Sequence, residues 1–105
     1  MLRALLNAMR GAIIVFRLPP GTSNTGLSKF CQRFYGQDTS SWRGKYRYHR
    51  RGLLDDIPHR KIIRGVLLVK SSYVEVVRRF LVDYDAIIYI WDVQLNPEDI
   101  QALGL

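Results

Sequence analysis

Cysteine is almost missing from this chain. Cys31 stands alone, which excludes an internal disulfide and any metal site built from cysteine only. A reducing compartment is the default for such a chain, so a cytoplasmic location is expected. No run of about 18 apolar residues occurs, so no membrane-spanning helix is expected. The apolar opening Met1–Arg10 is broken by Asn7 and Arg10 and leads into a strand-like run instead of a cleavage site. Residues 1–10 therefore read as an N-terminal extension, and residues 11–105 as a single domain. Acids are also scarce, nine against sixteen Lys and Arg, for a formal net charge of +7. The shortage is uneven: from Asp85 onward there are four acids and no Lys or Arg, so the whole positive excess lies earlier.

What is present begins with core material. At 48% hydrophobic over 105 residues, the chain has enough apolar surface for one packed core. Gly11 to Arg17 is a β-branched run stopped by Leu18-Pro19-Pro20-Gly21, which predicts a buried strand. Leu27, Phe30, Cys31 and Phe34 recur at i, i+3, i+4 and i+7, the stripe of an amphipathic helix that Gly36 ends. Cys31 on that stripe is a packing residue. Gln37 to Gly44 reads as a loop, and Lys45 to His49 alternates tyrosines with cations as a strand does. Gly52 to Pro58 is a connector, and Lys61 to Lys70 is the strongest strand signal in the chain. Ser72 and Glu75 have the spacing of a capping box ahead of a helix with Tyr73, Val76, Val77, Phe80, Leu81 and Tyr84 as its apolar face. Asp85 to Leu95 is a last strand, and Asn96-Pro97-Glu98-Asp99 opens a short terminal helix. The order β-α-β-β-α-β plus a tail predicts an α+β, ferredoxin-like domain. Its expected parts are a four-stranded antiparallel sheet, two helices on one face and a short C-terminal helix.

The expected third and fourth strands read as central strands, apolar on both faces, which an open, solvated sheet would not be. The face without helices is therefore expected to be covered by the tail helix or by a second chain, making a homodimer through the sheet face or edge. If the tyrosines of the second strand turn toward the helices, its cations line the open side. Arg64-Gly65 is similar to the start of the third-strand signature of RNA-recognition motifs, but Val66, Leu67 and Leu68 stand where that signature needs aromatics. In topology and charge the chain also resembles the small ferredoxin-like CRISPR-associated nucleases. That family carries a metal-binding acid at the end of its first strand. Here the position reads Arg17-Leu18-Pro19, so no site residue carries over.

The functional signal is a crowd of cations. Arg43, Lys45, Arg47, His49, Arg50, Arg51, His59, Arg60, Lys61 and Arg64 lie within one short tract. Collected like charge works against a compact state, so an anionic partner is expected, and a nucleic-acid backbone is the commonest one. Arginine outnumbers lysine twelve to four, which suits bidentate phosphate capture. The expected contacts are Arg43, Lys45, Arg47, His49, Arg50, Arg51, His59, Arg60 and Lys61, with Lys29 and Arg33 flanking from the first helix. Trp42 either stacks on an unpaired base or folds over the sheet edge. DNA and RNA are not distinguished.

Gly21-Thr-Ser-Asn-Thr-Gly26-Leu27-Ser28 has phosphate-loop spacing, but Leu27 replaces the lysine, so helix capping is the better reading and no cofactor is expected. His49, His59, Asp38, Asp55 and Asp56 include the residue types of a metal-dependent nuclease, without a ligand spacing. Asp55 and Asp56 equally well neutralise nearby arginines. The rivals to a non-enzymatic nucleic-acid binder are thus a metal-dependent nuclease and a protein-interaction module.

Overall fold

The computed structural model describes residues 9–41, 44 and 46–105. It is an α+β structure with a four-stranded antiparallel sheet, a separate two-stranded sheet and three helices. The chain forms two compact units, one from residues up to Pro19 together with Pro58–Leu105, the other Pro20–Ile57.

The larger unit holds the four-stranded sheet. Its strands are β1 (Arg10–Arg17), β4 (His59–Ile63), β5 (Val66–Lys70) and β6 (Ile87–Gln94), in the order β4-β5-β1-β6. β1 is central because its β-branched run is apolar on both sides. Ala12, Ile14 and Phe16 are buried on one side, while Ile13 and Val15 are half-buried on the other. β5 is likewise central, with Leu67, Leu68 and Val69 all buried. The longer α-helix of this unit, α2 (Val74–Asp83), turns Val77 and Leu81 inward.

The short helix α3 (Pro97–Ala102) starts as its sequence requires. The Asn96 side chain accepts from the Asp99 N–H at 2.7 Å, and the Asp99 carboxylate accepts from the Asn96 N–H at 3.2 Å. Its Ile100, with Leu103 just beyond it, closes over Leu68 and Leu95 and takes in Met9, Ile13 and Val93 at the margin. The tail helix therefore covers part of one sheet face, as the sequence allowed.

Four expectations need correction. The Lys61–Lys70 segment is not one strand but the hairpin β4–β5, because Arg64-Gly65 makes a turn in which Gly65 sits at φ 81°, a conformation that costs glycine little. The strand at Lys45–His49 does not join the main sheet. The described strand is β3 (Tyr46–Arg50), and it pairs with β2 (Gln37–Ser41), which the polar sequence suggested was a loop. β6 lies at the sheet edge, not inside it, so its apolar residues are not all buried. The Ser72–Glu75 capping box is not made either. Ser71–Tyr73 forms a 3-10 turn, and Glu75 is drawn to the Arg78 guanidinium, which lowers its pKa and raises that of Arg78.

The smaller unit holds α1 (Asn24–Tyr35), the β2–β3 hairpin and a 3-10 turn at Leu53–Asp56. The Ser23 hydroxyl accepts from the Gly26 N–H at 3.0 Å and caps α1, the capping role expected for the Gly21–Ser28 segment. Phe30 and Phe34 are buried on one stripe with ring centroids 5.2 Å apart, and α1 packs against the 3-10 turn, where Leu54 is buried. Gly36 closes α1 at φ 88°.

Candidate nucleic-acid interface

Every residue of β3 is exposed. Tyr46 and Tyr48, which would have faced the helices as part of the main sheet, are 56% and 48% exposed, because β3 pairs with β2 in a separate ribbon. Register sorts the side chains. Asp38 opposes His49 and Ser40 opposes Arg47, so these four share one face of the ribbon. Thr39 opposes Tyr48 and Gln37 opposes Arg50, so Tyr48 and Arg50 share the other. The alternation of tyrosines with Arg47 and His49 therefore holds, and Arg50 joins the tyrosine side. A depression of about 560 Å³ is lined by Asp38, Thr39, Ser40, Arg47, Tyr48 and His49.

His49 is held at both ring nitrogens. Its Nδ1 lies 2.7 Å from Asp38 Oδ1 and its Nε2 lies 2.7 Å from Asp55 Oδ2. Hydrogen bonds to Asp55 and then to Asp38 raise its pKa. Asp55 also accepts from the Gly52 N–H at 2.7 Å, and this bond, with that from His49, lowers its own pKa. His49 thus ties β3 to the 3-10 turn, and the two carboxylates favour its imidazolium form. The backbone beside it is tight: a Cβ on Gly36 would stand 2.5 Å from His49 Nε2 and 2.7 Å from Asp55 Oδ2, and one on Gly52 would collide with the Gly36 N.

The remaining expected contacts divide by unit. Lys29 and Arg33 are exposed on α1, with Arg33 in its last turn, where a cation complements the carbonyl end. Arg51 bonds to Asp56. Among the described residues no carboxylate pairs with Arg47 or Arg50. The Thr39 hydroxyl and then the Arg50 guanidinium lower the pKa of the Tyr48 phenol. His59, Arg60 and Lys61 belong to the larger unit, on β4, and Arg60 reaches Asp99 at 3.3 Å. Trp42, Arg43 and Lys45 lie outside the described residues.

No group of three or more His, Cys, Asp or Glu suited to a metal ion occurs among the described residues. Among them, too, no helix is long and apolar enough to cross a membrane. Searches against protein-family models, curated proteins and solved structures gave no match.

Proposed function

We propose that this protein binds nucleic acid, gripping the phosphate backbone with the β2–β3 ribbon through Arg47 and Arg50. Arg51, Lys29 and Arg33 add charge within the same unit, and in the sequence Trp42, Arg43 and Lys45, outside the described residues, add an aromatic ring and two more cations to the same tract. The observation that carries the reading is the exposure of all five β3 residues. A strand that buries nothing gains little from aromatic and guanidinium side chains unless a partner covers them. Arg50 shares its face with the exposed Tyr46 and Tyr48, while Arg47 stands on the opposite face beside His49. Neither has a carboxylate partner among the described residues, so the ribbon offers a polyanion bidentate hydrogen bonds from either face and aromatic surface on one.

The nuclease alternative is less well supported. Asp55 Oδ2 is engaged by the Gly52 N–H and His49, and Asp56 Oδ1 by Arg51, so each carboxylate already has partners with which a metal would compete. For the fold we propose a ferredoxin-like arrangement in which the β2–β3 ribbon is an insertion in the sequence after α1. The order β4-β5-β1-β6 supports this when β4 and β5 are taken as the second and third strands. The homodimer fits best through an edge strand, and a cytoplasmic setting suits the unpaired thiol of Cys31.

The test is charge reversal. Arg47→Glu with Arg50→Glu is expected to weaken binding of a fluorescent oligonucleotide more than tenfold, since each bidentate phosphate contact contributes about 1.5–3 kcal/mol. Unchanged polarisation curves for the double variant, with its circular dichroism intact, would refute the ribbon as the grip.

A further inference from the structure

The sheet's second face is only partly covered by α3, and what remains open is aromatic. Tyr89 and Trp91 are 57% and 54% exposed on β6, their rings 6.1 Å apart and within 18° of parallel. Register places Tyr89 beside Val15 and Trp91 beside Ile13, with Val66 and Leu68 next in line on β5. Ile63, paired with Val66, extends the same surface and is 64% exposed. Two such rings on an edge strand add nothing to the core, and a soluble fold gains nothing by exposing them in a group.

The charge around the rings decides what they suit. Arg17 stands opposite Ile87 on this face and is exposed, Lys70 opposite Gly11, and Arg60 opposite Leu68. No Asp or Glu occupies a strand position on the face, and the carboxylate nearest Arg60 comes from Asp99 of α3. Two copies meeting face to face would bring like charges together. A polyanion with flat apolar groups matches both features.

We propose that this face binds single-stranded nucleic acid, stacking unpaired bases on Tyr89 and Trp91 with Arg17 at the adjoining phosphate. The inference rests on the nucleic-acid reading above and sharpens it, because paired bases in a duplex keep their faces hidden while a single strand exposes them. Val66, Leu67 and Leu68 stand where the third-strand signature of RNA-recognition motifs needs aromatics, whereas the exposed rings of this sheet stand on the edge strand β6.

The test compares labelled oligouridine, oligothymidine and a duplex, each about 12 nucleotides long, within the span of a small single-strand site. Trp91→Leu and Tyr89→Leu are each expected to weaken both single strands about tenfold and to change duplex affinity less than about twofold. Trp91→Phe, which keeps a ring, is expected to retain most of the affinity that Trp91→Leu loses. Equal losses on duplex and single strand, or no loss on either, overturn the platform. Wild-type protein that binds neither form sinks the nucleic-acid reading itself, and binding that ignores Arg47 and Arg50 refutes the ribbon as the grip. Binding that needs those arginines but ignores Tyr89 and Trp91 sinks only this inference. Conversion of a dimer to a monomer by Trp91→Leu, with oligonucleotide affinity kept, would assign the face to self-association and overturn it as well.

Discussion

With Asp38 on one ring nitrogen and Asp55 on the other, His49 is favoured as the doubly protonated imidazolium. Its pKa is raised above the ordinary value of 6.5, so the stabilisation it brings is complete below that value and is lost as pH rises through the higher, folded one. Asp55 runs the opposite way. Its pKa is lowered from 3.8, so its contribution is present above that value and disappears as pH falls through the lower, folded one. Between those limits the clasp holding β3 to the 3-10 turn is strongest. An NMR titration of the His49 ring should give a midpoint above that of a free histidine, and Asp55→Asn should bring it down. A midpoint at or below the free value would mean that the two bonds do not persist in solution. None of this was visible in the chain, because pairing His49 with Asp38 requires the β2–β3 register, and Gln37–Ser41 has the polar composition of a loop. The exposed tyrosines were hidden for a related reason: alternation says which side chains share a face, but not whether anything covers it.

Among the elements, the legible ones were those with local start and stop signals. α1 carries its cap and its terminal glycine, and α3 carries Asn96, Pro97 and Asp99 in the order an N-terminus demands. The β4–β5 hairpin was concealed because Arg64-Gly65 interrupts a run whose β-propensity is otherwise continuous. The Ser72–Glu75 box failed because Arg78 offers Glu75 a charged partner one turn on, stronger than a backbone N–H. The α3 cap has a measurable weight. Asn96→Ala should lower stability by about 1 kcal/mol, seen as a smaller urea midpoint at unchanged slope. A loss of several kcal/mol would indicate that α3 leaves the Leu68 and Leu95 cluster altogether, and no loss would mean that Asp99 holds the turn alone.

For the molecule as a whole, the excess of cations is the property that sequence and structure both put forward, and burial explains none of it. The structure narrows it: Arg51 and Arg60 have carboxylate partners and His49 has two, while Arg47 and Arg50 have none among the described residues. A net charge of +7 also implies attraction to polyanions over a distance that shortens as salt is added. The measurement that tests the account most directly is the affinity for an oligonucleotide across a series of salt concentrations. Plotted as logarithms, affinity should fall linearly with salt, and Arg47→Glu with Arg50→Glu should flatten the slope by about two, one for each lost phosphate contact. A flat line for the wild-type protein, or a slope that the double substitution leaves unchanged, would contradict it.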